Sequence, residues 1–320
     1  MFKRILKYII LVILCVVGYL STFGWHFQKS SAGVYSSQEE SLAESLERHV
    51  YALSHDIGWR SVAEYENLQR SYQYIADQFK QFGLEVSTQE ISVDGKSTYN
   101  IIAEKKGFKH PEAVIIVGAN YDTYSNPGAN NNASGVSALI ELARIFSAQF
   151  PETTIRFVAF VNKEPPFAGT DQMGSMAYVK LVKETKQPIE AVIIMDGIGC
   201  YSYKDYSQRY FPFLGLFYPD KGNFVMASSN INSAGLLKTV MAAFRKKTSF
   251  PIRWSVAFDF VDSDHRVFWR EKYPAVLISD TGSYRNKHFH SLSDTYEKLN
   301  FRNMSQVTYG IAAVLRVLAW

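Results

Sequence analysis

Polar residues that could bind a metal ion or transfer a proton follow short apolar runs at several points along the chain. Three apolar runs cover residues 113–117, 155–161 and 191–195. The polar residues that follow these runs are Asn120, Asp122, Lys163, Glu164 and Asp196, and a later loop adds His290. Imidazole and carboxylate groups bind zinc and also act as general acids and bases. Because the carboxyl ends of parallel strands meet at one edge of a sheet, the sequence predicts a single metal or catalytic site at that edge.

The apolar runs have the length and continuous hydrophobicity of strands that are buried on both faces. Shorter apolar runs at 224–227 and 275–278 predict two further strands, and helical spacing of apolar residues covers 68–82, 135–148, 232–246 and 303–319. Strands that alternate with helices are typical of α/β proteins. The sequence therefore predicts one three-layer αβα domain with a largely parallel central sheet.

Composition excludes two broad classes of protein. With 47% hydrophobic and 20% charged residues in a chain of 320, the protein can bury a large core, which argues against disorder. Of the net charge of +4, three charges come from Lys3, Arg4 and Lys7, so the rest of the chain is nearly neutral and no nucleic-acid partner is expected. We interpret the basic cluster at residues 245–247 as a solvated helix end rather than a phosphate-binding site.

The N-terminus has the pattern of an export signal. The basic residues Lys3, Arg4 and Lys7 precede an apolar stretch over residues 8–20, with no clear small-residue cleavage site after it. We expect residues 1–25 to be a signal anchor, with a cleaved signal peptide as the alternative, residues 26–44 to be a tether and 45–320 to be the domain. An anchor of this polarity binds the inner membrane and places the domain in the periplasm or outside.

Ordered motifs carry a resemblance to a known family. Residues 118–122 read Gly-Ala-Asn-Tyr-Asp, residues 127–135 read Pro-Gly-Ala-Asn-Asn-Asn-Ala-Ser-Gly, and Ser-Asp-His and Ser-Asp-Thr follow at 263–265 and 293–295. From about residue 45 onward the chain resembles the secreted two-zinc aminopeptidases, metallopeptidases whose relatives include glutamate carboxypeptidase, glutaminyl cyclase and the transferrin receptor. The resemblance implies the zinc-aminopeptidase fold.

The resemblance also implies which residues belong to the zinc site. In the family, one zinc is held by a histidine and an aspartate, the other by a glutamate and a histidine, and a further aspartate bridges the two metals. Three ligand positions are retained as Glu164, Asp196 and His290, and Asp122 matches the residue that orients the first histidine. The first histidine is replaced by Asn120 and the bridging aspartate by Asn131. Lys163 stands where the family has its general base, a glutamate.

Each replacement damages the chemistry separately. An asparagine amide is neutral and binds zinc more weakly than imidazole or carboxylate. Asn131 also removes the bridging charge, and it breaks the single-zinc set of the glutaminyl cyclases, which Glu164 and His290 would otherwise complete. An unperturbed lysine is protonated at neutral pH and cannot accept a proton. We therefore expect zinc to be absent or weakly bound, and the Lys163 ammonium to pair with Asp196, Glu164 or both.

Two further features border the predicted site. Asp264 and His265 could line the cleft, with a structural hydrogen bond favoured for His265. The aromatic stretch 201–218 could be a substrate-side loop, a partner surface or internal packing.

Three functions remain. One is a catalytically impaired pseudopeptidase whose cleft binds a peptide or protein N-terminus. The second is an active zinc exopeptidase that releases N-terminal residues. The third is a structural protein of the cell envelope. The loss of a ligand, the bridge and the base together favours the first over the second.

Overall fold

Eight strands form one continuous sheet in the computed structural model, which describes residues 36–212, 214–256 and 259–320. The strands are β1 (Glu85–Val93), β2 (Lys96–Lys105), β3 (His110–Asn120), β4 (Thr153–Phe160), β5 (Ile189–Met195), β6 (Val225–Ser229), β7 (Ile252–Val256) and β8 (Ala275–Ser279). Their spatial order is β1-β2-β4-β3-β5-β8-β6-β7.

The sheet is mixed, so the prediction of a largely parallel sheet is correct for four adjacent strands and for the edge pair β6–β7, which is also parallel. Strands β4, β3, β5 and β8 run parallel to one another, whereas β1–β2, β2–β4 and β8–β6 are antiparallel pairs. The strands β1, β2 and β7 were not predicted from the sequence. Strand β1 is largely exposed, so it lacks the continuous apolar run that marks the central strands. Asp94 and Gly95, both with positive φ, form the tight turn that joins β1 to β2.

Helices cover both faces of the sheet. They are α1 (Ser37–Tyr51), α2 (Tyr65–Gln81), α3 (Ser134–Ser147), α4 (Gly174–Glu184), α5 (Ala234–Lys247), α6 (His265–Arg270) and α7 (Phe301–Ala319). Helices α4 and α6 pack on one face, where Tyr178 and Phe268 join a core cluster with Val114 and Ile116 of β3. Helices α1, α3, α5 and α7 pack against one another on the other face. This arrangement is the predicted three-layer αβα architecture.

Helix α1 changes the predicted boundary between tether and domain. It begins at Ser37, so residues 37–44 are helical rather than part of an irregular tether. The Ser36 hydroxyl accepts from the Glu39 amide at 3.2 Å, and the Glu39 carboxylate accepts from the Ser36 amide at 2.8 Å. This capping box starts the helix, and burial of Leu42, Leu46 and Val50 attaches it to the domain.

The predicted membrane segment, residues 1–25, lies outside the described residues. Within the part of the chain that the structure describes, none of the helices combines the length and the apolar character needed to cross a bilayer.

Candidate functional site

The predicted site residues meet at the carboxyl edge of the central strands. Asn120 ends β3, Lys163 and Glu164 follow β4, Asp196 follows β5, and His290 lies in the loop between β8 and α7. Asn131 joins them from the loop before α3. The side chains of this set are buried except that of His290, which is 29% exposed. The adjacency of β4, β3, β5 and β8 in the sheet brings these residues together.

Lys163 lies between two carboxylates. Its Nζ is 2.9 Å from Glu164 Oε1 and 3.2 Å from Asp196 Oδ2, and all three side chains are buried. Burial opposes the charge of Lys163, but the carboxylates of Asp196 and Glu164 outweigh it and raise the pKa of Lys163 above its ordinary value. The raised pKa favours the charged ammonium form of Lys163 at neutral pH.

Both oxygens of the Glu164 carboxylate contact other side chains of the site. Its Oε1 also accepts a hydrogen bond from Asn131 Nδ2 at 3.0 Å, and its Oε2 is 3.2 Å from His290 Nε2. Burial favours the neutral acid, but the charges and hydrogen bonds of Lys163 and His290 outweigh it and lower the pKa of Glu164 to about 2. The carboxylate that the resemblance assigns to zinc is thus ionised and already compensated within the chain.

Asn120 takes part in a network of amides and a carboxylate. Its Nδ2 donates to Asp122 Oδ1 at 3.3 Å, and its Oδ1 accepts from Asn132 Nδ2 at 3.0 Å. The second oxygen of Asp122, Oδ2, accepts from the backbone amide of Glu164 at 2.8 Å. Burial and the nearby Glu164 charge raise the pKa of Asp122 to about 6. The oxygen of Asn120, the atom that could bind a cation, is already used by Asn132.

Arg60 holds the loop that carries Asn131, and the sequence analysis missed it. Its buried guanidinium nitrogens lie 2.7–3.0 Å from five backbone carbonyl oxygens, and Nη1 shares its two hydrogens among three of them: Leu53, Gly58 and Pro127, with Tyr121 bound by Nε and Gly128 by Nη2. Arg60 stands in a loop without periodicity or motif, so nothing in the sequence distinguishes it from a surface arginine.

Asp294 supports the same loop through its backbone amides. Its two carboxylate oxygens accept from the backbone amides of Asn130 and Asn131 at 3.0 and 3.1 Å. Asp294 belongs to the Ser-Asp-Thr motif at residues 293–295, so its motif was visible in the sequence although its partners were not. We call Arg60 and Asp294 the loop frame.

The residues present do not fit a two-zinc centre. The Lys163 ammonium lies between Glu164 and Asp196, and Asn131 directs an N–H donor, not a lone pair, at Glu164. Across residues 36–212, 214–256 and 259–320, no three His, Cys, Asp or Glu side chains converge in a way suited to a metal ion. A metal cation at this position would have to displace a charge that the site already holds.

A cavity of about 600 Å³ opens beside Lys163, Glu164 and His290. Its wall contains the apolar side chains of Met173, Met176, Phe260, Val261 and Phe289. Three further charged side chains also line it, those of Asp262, Arg266 and Arg270. A cleft with an apolar wall and a few polar groups is typical of a ligand-binding site.

Asp264 and His265 lie behind the wall of the cleft rather than on it. Both are fully buried, while their neighbours Ser263 and Arg266 line the cavity. His265 Nε2 is 2.8 Å from Asp259 Oδ2, so the histidine makes a structural contact. Burial raises the pKa of Asp264 to about 7.

The fold and the arrangement of the site define a zinc-aminopeptidase-like domain with altered ligands. The chain belongs to peptidase family M28, because the model of that family matches residues 100–315. The predicted resemblance to zinc aminopeptidases and glutaminyl cyclases is therefore confirmed.

Relatives of two kinds match the sequence. The uncharacterized protein YfbL of Escherichia coli K12 is 33% identical over 294 residues, which cover 88% of this chain and 90% of that protein. An aminopeptidase of Pseudomonas aeruginosa is 37% identical over 105 residues, which cover 32% of this chain but 18% of the aminopeptidase. The similarity to the aminopeptidase is thus confined to a part of each chain.

Solved structures share the fold at low sequence identity. BSAP, a zinc aminopeptidase from Bacillus subtilis, superposes with a TM-score of 0.68 and 16% identity and covers 86% of this chain and 95% of its own. The glutaminyl cyclase of Bacteroides thetaiotaomicron superposes with a TM-score of 0.66 and 19% sequence identity, over 86% of this chain and 97% of the cyclase. These similarities show the fold.

Proposed function

We propose that this M28 protein is a catalytically impaired pseudopeptidase that uses its cleft to bind a peptide or protein N-terminus. The observation that carries the proposal is the position of the Lys163 ammonium, 2.9 Å from Glu164 Oε1 and 3.2 Å from Asp196 Oδ2. A protein cation stands between the carboxylates that the family resemblance assigns to metal.

Two steps of metal-assisted hydrolysis lack their groups. A general base must accept a proton from the attacking water, and the residue at that position is a lysine whose pKa is raised. A metal ion must bind carboxylates with free charge, and Glu164 is already paired with Lys163 and His290. The cavity beside these residues remains open, so binding is retained where hydrolysis is lost.

We also propose that the protein is exported and held at the inner membrane by residues 1–25. The support is the sequence pattern of Lys3, Arg4 and Lys7 before an apolar stretch. Extraction of cell membranes with alkaline carbonate tests this proposal, because an anchored chain stays in the membrane pellet. Release of a chain whose intact mass lacks the N-terminal segment would show a cleaved signal instead.

Metal content and turnover test the loss of catalysis. We expect the purified protein to carry no stoichiometric zinc at neutral pH and to leave aminoacyl chromogenic substrates intact when zinc or cobalt is added. Turnover that is abolished by Glu164→Ala or His290→Ala would overturn the proposal in favour of an active exopeptidase. The triple variant Asn120→His, Asn131→Asp, Lys163→Glu is the positive control, and we expect it to gain zinc binding.

A peptide screen tests the binding role against a purely structural one. We expect peptides with a free N-terminus to bind, and Ala168→Trp, which fills the cleft, to abolish binding. Ala148→Trp places the same side chain at an exposed site at the end of α3 and serves as the matched control. If no peptide binds, or if Ala168→Trp binds as well as the control, the cleft has no peptide-binding role.

A further inference from the structure

A basic surface lies where helix α5 ends and the edge strand β7 runs beside it. Residues 245–253 contain Arg245, Lys246, Lys247 and Arg253 and no acidic residue. Among the described residues, no carboxylate forms an ion pair with any of the four. Four uncompensated cations on a nearly neutral domain are a site for an anionic partner.

Arg245 and Arg253 are half-buried rather than extended into solvent. Arg245 Nε is buried and has no hydrogen-bond partner among the described residues. Helix α5, which carries Arg245, packs against strand β7, which carries Arg253. Burial lowers the pKa of Arg253, and the nearby charge of Arg245 lowers it further. The sequence alone favoured a solvated helix end for residues 245–247, and it gave no reason to group them with Arg253.

An exposed apolar turn borders the basic surface. Hydrogen bonds from the Leu214 amide to the Phe211 carbonyl and from the Phe217 amide to the Leu214 carbonyl close the turn. Three of its side chains are exposed, Phe211 by 44%, Leu216 by 78% and Phe217 by 44%, although one side of the Phe211 ring packs on Tyr284. The next residue, Tyr218, donates from its hydroxyl to the carbonyl of Trp254 at 2.9 Å, which attaches the turn to β7 beside Arg253.

The N-terminal end of the domain lies near this surface. At the start of α1, the Gln38 carbonyl accepts from the Tyr309 hydroxyl of α7 at 3.2 Å. Across α7, the Phe244 ring near the end of α5 packs directly on Gly310. One helix, about 10 Å wide, therefore separates the point where residues 26–35 enter the domain from the end of α5. Ten extended residues span at most about 35 Å.

We propose that Arg245, Lys246, Lys247 and Arg253, together with Phe211, Leu216 and Phe217, form a face that docks on an anionic membrane surface. We call it the basic–aromatic face. Its cations bind the phosphates of lipid headgroups, and its aromatic and aliphatic side chains enter the interface between headgroups and acyl chains. The inference rests on the proposed anchoring of residues 1–25, which keeps the domain within reach of a bilayer.

Two other ligands of this face would each account for only one of its two parts, the cations or the apolar turn. A soluble anion would neutralise the arginines but leave the apolar turn exposed. A second copy of this chain would cover the turn, but a symmetric interface would bring like charges from the two copies together. An anionic lipid surface accounts for both halves.

The test uses the full chain reconstituted in nanodiscs of phosphatidylcholine, with or without phosphatidylglycerol. We measure tryptic cleavage after residues 245–247 and hydrogen exchange of the apolar turn. Each cation near an anionic leaflet contributes roughly a fivefold preference, so we expect cleavage to be at least about fivefold slower with phosphatidylglycerol. The variant Arg245→Glu, Arg253→Glu is expected to lose this protection, and Lys180→Glu, Lys186→Glu, which changes two exposed lysines elsewhere, is expected to keep it.

Three results would overturn the docking proposal. One is equal cleavage and exchange in the two lipids. Another is the same protection from inorganic phosphate in phosphatidylcholine nanodiscs, which would assign the site to a soluble anion. The third is protection from cleavage that appears only when two chains occupy one nanodisc, which would assign the face to self-association.

The intact mass of the chain tests the anchoring proposal independently of the docking proposal. If residues 1–25 are cleaved in cells, the mature protein is sedimented with vesicles of each lipid. Selective binding to phosphatidylglycerol vesicles would uphold the docking face, and no binding would overturn it.

Discussion

The loop frame and the centre of the site use different kinds of contact. Arg60 and Asp294 bind backbone groups of the loop around residues 127–131, and these contacts require no metal ion. The centre is built from side chains, and there Lys163, Asn120 and Asn131 stand at positions that the family resemblance assigns to a base and to ligands. A frame that depends on backbone contacts can keep the shape of a cleft while the chemistry at its centre changes.

Charge balance explains how the centre stays folded. Two buried carboxylates without a partner would be costly, because each loses its hydration. The Lys163 ammonium compensates Glu164 and Asp196 from within the chain. We therefore expect the loop frame to contribute most to the free energy of unfolding, Lys163 to contribute less, and groups at the edge of the site, such as His290, to contribute least.

Breaking the frame is expected to have the largest effect. Arg60→Ala removes a donor from five backbone carbonyls. Those of Leu53 and Gly128 still accept from the Gly58 and Ala133 amides, but those of Gly58, Tyr121 and Pro127 lose their Arg60 contact, and each buried unsatisfied group costs about 1–3 kcal/mol. We expect the free energy of unfolding in urea to fall by about 5 kcal/mol or more. The exposed Arg70→Ala is the control, with a change within about 0.5 kcal/mol. A loss below about 2 kcal/mol for Arg60→Ala would show that the frame does not depend on this residue.

Removing the central cation is expected to cost somewhat less. Lys163→Met leaves Glu164 and Asp196 buried without their cation, which typically costs about 3–5 kcal/mol. Part of this loss should be recovered near pH 4.5, where the carboxylates can take up protons. Urea unfolding at pH 7 and pH 4.5 measures both, with the exposed Lys180→Met as the matched control. A Lys163→Met variant as stable as the parent at pH 7 would contradict the role of the lysine as a counter-charge.

Asp264 should make stability fall as the pH rises. Burial raises its pKa from 3.8 to about 7, so the folded protein holds a proton that the unfolded chain releases at lower pH. The stability from this group is complete below pH 4 and is lost as the pH rises to 7, by about 3 kcal/mol between pH 5 and pH 8. We expect Asp264→Asn to remove this loss. Unfolding curves that keep the same pH slope in Asp264→Asn would contradict the assignment.

His290 is expected to have the smallest effect, because it is partly exposed. Its ring nitrogen lies 3.2 Å from Glu164 Oε2 and helps, after Lys163, to hold the pKa of Glu164 at about 2. A lowered carboxylate pKa gives stability that is complete above pH 4.5 and is lost as the pH falls toward 2. We expect His290→Ala to cost about 1 kcal/mol and to move the acid unfolding midpoint to higher pH. An unchanged midpoint would show that Lys163 alone compensates Glu164.

Sequence patterns predicted the fold where burial is local and continuous. Strands β3, β4, β5 and β8 follow from apolar runs, and helix α7 from its spacing. Strands β1 and β7 could not be predicted in this way, because an edge strand is partly exposed and lacks a continuous apolar run. Arg60 was missed for a related reason, since its five partners are backbone groups far apart in sequence.

The sequence by itself determined which chemical groups reach the site. It showed a lysine in place of a base, two amides in place of ligands, and the retained Glu164, Asp196 and His290. The tertiary structure decided which of these groups touch, because contacts depend on strand order and loop path rather than on residue spacing. It placed Lys163 against both carboxylates. It also fixed the loop of Asn131 through Arg60 and Asp294, and packed helix α5, with Arg245, against the edge strand β7, with Arg253.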